Sequence, residues 1–354
     1  MEQNFQEKYR QQDYEPSADI FLEKTSAYLG EHHDVMLTDF MEQFQHFCTR
    51  LTSFLADTPY QVGVIQISLL HTSIYFGTPK IAFDAYDSYG VLGANLMHAE
   101  MEFPYLFVHL NEWKNNLKHA VQEKHYEIYV SDERIRTLMA EKTRMLMYFL
   151  VLHLKYPLTE LDRLEWFQEM PKEPEFYVSV GEYEDWQKTV YGEVPFVDMF
   201  MNLSGESLRW QKYEQLVFRN KVFDGMDLSK IRFTDCHFIN CTIKNCQFHD
   251  SSFLGCRFNH TTIENSSFFG SLWKECLIQR TNFYQCDWWA ELASKAEEDM
   301  EERQAEDIYR PVMMESCSYH HVLMKGCNLN NVKVCDEHMD DFEIEDDLDG
   351  GEMA

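Results

Sequence analysis

The chain contains no Cys-x-x-Cys pair, although it holds 10 cysteines in 354 residues. A structural zinc site usually presents two thiolates from one turn, so the missing pair argues against a zinc finger or ribbon. Phosphate-cradling glycine loops are absent as well. Neither GxGxxG nor GxxxxGK[ST] occurs, and there is no GxSxG nucleophile elbow. The opening stretch MEQNFQEKYRQQDYE is polar and lacks the apolar core of a secretory signal. The longest apolar run of note, Met145 to Leu154, covers 10 residues, and a bilayer needs about 20. A buried helix suits it better. Positive charge is scarce: 31 Lys and Arg stand against 60 Asp and Glu, for a formal net charge of −29. Bulk attraction to nucleic acid or anionic lipid is therefore not expected. These absences point to a cytoplasmic protein with reduced thiols, no cofactor, no bound metal and no membrane contact.

The charge is unevenly placed. Residues 216–290 carry 8 basic and 7 acidic groups, whereas residues 1–215 carry 18 and 34. Residues 291–310 hold 3 basic and 8 acidic groups, and residues 336–354 hold 10 acids with no Lys or Arg. The near-neutral middle coincides with the cysteines. In CHFINCTIKNCQF, residues 236–248, three cysteines fall at five-residue steps.

Five is a true period. Stepping by five from Phe218 to Trp288 meets 15 large apolar residues in a row, among them Phe238, Ile243, Phe258 and Trp273. Two residues before each, from Ile231 to Cys286, 11 of 12 positions are small: Cys, Ser or Thr. The other positions are polar, with Asn, Asp, Gly and Lys frequent. A column of Cys236, Cys256 and Cys276 is expected, with each thiol acting as a small buried hydrophobe. This pattern resembles the pentapeptide-repeat family, whose unit reads small, polar, Leu or Phe, polar, any. The resemblance implies a right-handed quadrilateral β-helix of 20 residues per coil, with the large residue filling the centre. The register resumes at Met314, Tyr319, Met324, Leu329 and Val334, which makes about five coils. At ~4.8 Å per coil the rod is roughly 24 Å long.

The step from Trp288 to Met314 breaks the period, so residues 290–311 are an insertion. Its sequence, AELASKAEEDMEERQAEDIYR, is rich in Ala and Glu and suggests a short acidic helix or loop. Trp288 is expected to pack beneath it. The tail, 336–354, reads as a disordered, solubilising end.

Residues 1–210 lack the period and form a separate α+β domain, for which no family resemblance is evident. Helical spacing covers 18–29 and 34–56, where Met36, Phe40, Phe44, Phe47, Leu51 and Leu55 share one face. Helices are also expected at 104–124, 131–155 and 158–169, with a helical connector at 195–215. Strands are expected at 62–69, 74–88 and 175–182. The domain would cover the exposed end of the first coil. The two-domain chain thus divides into 1–210, a solenoid over 211–335, and the tail.

Candidate chemistry is thin. His98-Ala99-Glu100 matches half of a zinc-deaminase signature, but the required PCxxC is missing. His98, Glu100 and Glu102 would share a face if extended. Asp39, Glu42 and His46 lie on one helix face, most simply a polar one. His32-His33-Asp34 reads as a turn with Asp34 as N-cap. The expectation is a non-enzymatic scaffold for a protein partner. The family resemblance adds a type II topoisomerase such as DNA gyrase, shielded from drugs, as a finer possibility. Candidate contact residues are Trp289, Glu297, Glu298, Asp299, Glu301 and Glu302 on the insertion. The competing expectation is a small-molecule immunity protein or enzyme, with a pocket lined by the aromatic-rich segment 72–108.

Overall fold

A computed structural model of the chain describes residues 2–194, 211–288, 312–329, 332–335 and 337–345. The chain divides into two compact units, Met1–Glu193 and Val194–Ala354.

The first unit opens with helices α1 (Glu2–Tyr9), α2 (Glu15–Glu31) and α3 (His33–Leu55). A π-helical turn, Arg10–Tyr14, joins the first two. The apolar stripe of α3 is buried from Met36 to Leu55, as its spacing requires. Its phenylalanines close on Phe83, with ring centroids 5.9 Å away for Phe44 and 5.5 Å for Phe47. Phe83 stands on β2 (Lys80–Tyr86), between β1 (Val62–Leu69) and β3 (Asn95–Glu102). With β4 (Lys172–Glu182) and β5 (Gln187–Glu193) these form one sheet in the order β3-β2-β1-β4-β5. β1 and β4 run parallel, and every other neighbouring pair is antiparallel. A parallel pair demands a long crossover, and the chain between β3 and β4 supplies it.

Several boundaries differ from expectation, each for a local reason. The strand expected at 74–88 begins as a short helix, α4 (His71–Phe76), which ends at Gly77 with φ of 70°. A left-handed glycine there is the usual helix stop, and β2 starts only after Pro79. The helix expected at 104–124 is α5 (Leu110–Glu123) preceded by a single tight turn at Pro104–Leu106. Residues 131–155 make two helices, α6 (Asp132–Ala140) and α7 (Thr143–Leu154). The hydroxyl of Ser131 caps α6 by accepting from the Arg134 N–H at 3.1 Å. Residues 158–169 are mostly a 3₁₀ segment, Pro157–Arg163, ahead of the short α8 (Glu165–Gln168). Asp34 is not an N-cap: α3 starts at His33, and His32 takes the cap position without a side-chain bond.

The second unit is a solenoid. Short parallel strands stack with partners 20 residues apart, as in His237↔Arg257 and Phe238↔Phe258. On one face six strands pile up, from Lys212–Glu214 to Val332–Cys335. The first coil begins one unit before Phe218. Tyr213 points inward and stacks on Phe233 at 5.7 Å, so residues 212–214 are strand, not the end of a helical connector. The rest of that expected connector, 195–210, lies outside the described residues.

Each five-residue unit turns a corner with one left-handed residue. Positive φ recurs at Asn220, Gly225, Lys230, Asp235, Asn240, Asn245 and Asp250, and continues to Gln285. Gly, Asn and Asp tolerate that conformation at least cost, which explains their frequency at the fifth position. Inside, the large residues stack in columns: Phe238 lies on Phe258 at 4.6 Å with rings 2° apart. Trp288 is fully buried and stacks on Phe268 at 4.7 Å.

The register survives the insertion. Coil-to-coil bonds that span 23 residues below it, such as Cys276 to Phe253, span 44 across it, as in Cys317 to Trp273. Pairing between coils therefore resumes in phase after the insertion. For part of the acidic tail the expectation of disorder is corrected, while residues 346–354 lie outside the described residues. Residues His338–Glu345 form a strand paired in parallel with Ser318–Lys325. Met339 and Ile344 continue the five-residue register from Val334, and the acids fall on outward positions. There Asp340 lies 3.5 Å from His320, Asp341 meets His321, and Glu345 meets Lys325 at 3.1 Å.

Candidate functional site

The cysteine ladder is core. Eight of the 10 thiols are buried in the chain, seven of them in the solenoid, and all are free. Most thiols in the ladder donate to a backbone carbonyl one coil away, among them Cys236 to Tyr213 at 3.3 Å, Cys241 to Phe218 at 3.1 Å and Cys256 to Phe233 at 3.4 Å, whereas Cys246 donates to Lys244 of its own coil at 3.2 Å. Thr261 likewise donates across coils with its hydroxyl, to Phe238 at 3.0 Å, so Cys and Thr can share one task. Burial pushes the thiols of Cys236, Cys256 and Cys276 well above the ordinary cysteine value, and those of Cys241 and Cys246 up to about 11. Such thiols are neither nucleophiles nor metal ligands at neutral pH.

What the solenoid offers to a partner is its outside. Residues flanking each central side chain face outward in rows, one residue per coil. Several rows are laced by ion pairs between neighbouring coils, including Lys244–Asp224 at 3.3 Å and Lys274–Glu315 at 2.8 Å. These pairs neutralise one another, in keeping with the even charge of residues 216–290. The expected contact residues Trp289, Glu297, Glu298, Asp299, Glu301 and Glu302 lie outside the described residues.

In the first unit, the candidate polar groups pair mostly with other side chains. His98, Glu100 and Glu102 do share the exposed side of edge strand β3. Two of them have other partners: His98 Nδ1 sits 2.7 Å from the buried Asp84 carboxylate, and Glu100 binds Lys80 at 3.0 Å. Asp39 accepts from the Tyr105 hydroxyl at 2.8 Å, while Glu42 and His46 face solvent. No cluster of three or more His, Cys, Asp or Glu is placed to hold a metal among the described residues. The aromatic segment 72–108 is largely core, with Phe83 and Phe103 fully buried.

Two clefts stand out among the described residues, and sequence spacing signalled neither. One, of about 440 Å³, opens near the carboxyl ends of β1 and β4 beside His71, Tyr75, Arg144, Glu182 and Asp185. Its charges satisfy each other: buried Glu182 takes Arg144 Nε at 3.1 Å and His71 Nε2 at 3.6 Å. The other, of about 220 Å³, lies between α2 and α5.

The family model for pentapeptide repeats matches residues 231–270 in eight copies. No curated protein matches the sequence. Among solved structures, the chain is similar to the pentapeptide repeat protein Rfr23 from the cyanobacterium Cyanothece 51142. That match has 7% identity and a TM-score of 0.23, over 38% of this chain and 84% of that one. It is also similar to full-length QnrB1, a plasmid-mediated fluoroquinolone resistance protein, at 16% identity and a TM-score of 0.15, over 40% and 88%. A third is HetL, involved in heterocyst differentiation regulation in the cyanobacterium Nostoc, at 7% identity and a TM-score of 0.12, over 38% and 87%. Residues 231–270 are thus pentapeptide repeats, and the coils around them are built on the same five-residue register.

Proposed function

We propose that the chain is a non-enzymatic interaction protein whose solenoid displays side chains at fixed spacing to a protein partner. The observation that carries this reading is the division of labour within each unit. Two positions fill the core and one makes the corner, which leaves the outward positions free to be shaped by a partner. Backbone pairing between coils holds those rows rigid, so little ordering is needed on binding. Seven of the solenoid's thiols are committed to the interior.

A finer reading names a type II topoisomerase as the partner. The near-neutral rod does not support mimicry of a phosphate backbone along its length. Contact through the acidic insertion, Glu297 to Glu302, is the form of this reading that fits the charge distribution. The test is a DNA gyrase supercoiling assay with a quinolone present, titrating the full chain and a variant lacking residues 291–310. Protection that depends on the insertion supports the topoisomerase partner. Absence of protection at micromolar protein rules it out and leaves the general scaffold.

A further inference from the structure

We propose that the cleft at the carboxyl ends of β1 and β4 binds a free α-amino acid with an apolar side chain, its carboxylate on Arg144 and its ammonium on Asp185. The inference stands apart from the solenoid reading and uses the first unit alone. Strand order sets the place. β1 and β4 run parallel side by side, and Leu69 at the end of one pairs with Glu182 at the end of the other. β1 continues toward β2 and β4 toward β5, which lie on opposite sides of the pair. Connections that diverge from neighbouring parallel strands leave a crevice at their carboxyl ends, where open α/β sheets bind their ligands. The opening here is about 440 Å³, in the range of small-molecule sites. Tyr75 and Ala140 stand in its wall and offer apolar contact.

Glu182 organises the cationic side. Its side chain is 8% exposed, and one carboxylate oxygen takes Arg144 Nε at 3.1 Å while the other lies 3.6 Å from His71 Nε2. A buried carboxylate so placed fixes the guanidinium by one edge. Arg144 Cζ also lies 5.8 Å from the centre of the Trp186 ring, which braces it from a second direction. The Arg144 side chain is nevertheless 55% exposed and lines the cleft. A guanidinium carries five donors in a rigid fork. Among the described residues, the Nη end has no partner nearer than Asp185 Oδ1, 4.0 Å from Nη2, too far for a hydrogen bond. That end is held in place and open to a carboxylate, which it can take with two parallel bonds.

Asp185 supplies the opposite charge on the same wall. The other rim acid, Glu141, is already taken by Arg10 at 2.9 Å. The turn that carries Asp185 is specific. Glu184 before it holds φ at 54°, a left-handed conformation that a glutamate adopts at a cost. The Asp185 N–H then donates to the Glu182 carbonyl at 3.2 Å. A simple anion in the cleft would meet Asp185, and a simple cation would meet Arg144. A ligand with both charges satisfies each. Because the two head groups stand 4.0 Å apart, the ligand's charges must be adjacent too, and an α-amino acid carries them on one carbon.

The test is calorimetric titration of the full chain with L-phenylalanine and with two analogues that each lack one charge, 3-phenylpropionate and phenethylamine. L-Phenylalanine is expected to bind saturably, and each analogue at least about tenfold more weakly, as loss of a charged hydrogen bond implies. Asp185→Asn should weaken L-phenylalanine to the level of 3-phenylpropionate. Arg144→Lys keeps the charge but loses the fork, and should weaken it at least about tenfold. Three results overturn the proposal: no saturable binding up to the solubility limit of L-phenylalanine, an analogue that binds as tightly, or binding that Asp185→Asn leaves unchanged. If Arg144→Lys fails to fold for want of its Glu182 pair, the analogues and Asp185→Asn, at a side chain 63% exposed, decide the matter.

Discussion

The thiol of Cys256 donates to the carbonyl oxygen of Phe233, one coil away, at 3.4 Å. A hydroxyl can replace it, since Thr261 makes the equivalent bond. Cys256→Ser should therefore change unfolding free energy by less than about 1 kcal/mol. Cys256→Leu, which forces extra methylenes into the same corner, should cost about 1–3 kcal/mol. Urea unfolding of the two variants checks both. A serine variant as damaged as the leucine one would show that the sulfur itself matters.

The central column carries more of the stability. Phe238 lies between Phe218 at 5.0 Å and Phe258 at 4.6 Å. Phe238→Ala removes both contacts and leaves a cavity that stacked coils cannot collapse, so about 3–5 kcal/mol should be lost. A loss below ~1 kcal/mol by the same denaturation measurement is incompatible with a packed column.

The corners make a separate prediction. Asn240 holds φ at 51°, where a β-branched side chain is strained. Asn240→Val should destabilise by about 1–2 kcal/mol, while Asn240→Gly should be nearly neutral. Equal effects of the two changes would mean that backbone conformation is not the cause.

Acid sensitivity should arise in the first unit. His33 and His153 face each other with Nδ1 atoms 2.9 Å apart. Burial, and then the neighbouring His33, holds the His153 pKa below its usual 6.5. The folded state thus resists a proton that the unfolded state accepts. This contribution is fully present above pH 6.5 and is lost as the pH falls below it, through the depressed folded value. His153→Gln should flatten the decline in stability between pH 7.5 and 5.5, measured by urea midpoint. An unchanged decline would move the cause elsewhere, for example to His249, whose pKa burial also lowers.

The solenoid was legible in the sequence because its unit is short and each position has one role. Fifteen in-phase apolar residues leave little room for another reading. Tyr213 was harder to see because its hydroxyl hides an inward aromatic ring. The strand at residues 338–345 was obscured by acids, although its Met339 and Ile344 kept the beat. In the first unit, β1 and α3 were legible from alternation and a helical stripe. Strand β3 was not singled out, although Met97, Ala99 and Met101 alternate there with His98, Glu100 and Glu102. Neither cleft could be read from spacing. Asp13 and Trp113, which both line the cleft between α2 and α5, lie 100 residues apart in the chain.

The most direct test of the thiol ladder, on which the account of the solenoid rests, is a count of reactive thiols in the native chain. Only Cys335 is exposed and Cys327 half-buried, so without reductant one thiol should react quickly with a disulfide reagent, and a second slowly. The full set of 10 cysteines should appear only on unfolding. Several fast thiols in the native protein, or fewer than the full set in denaturant, would contradict the ladder and restore a metal or disulfide role for the cysteines.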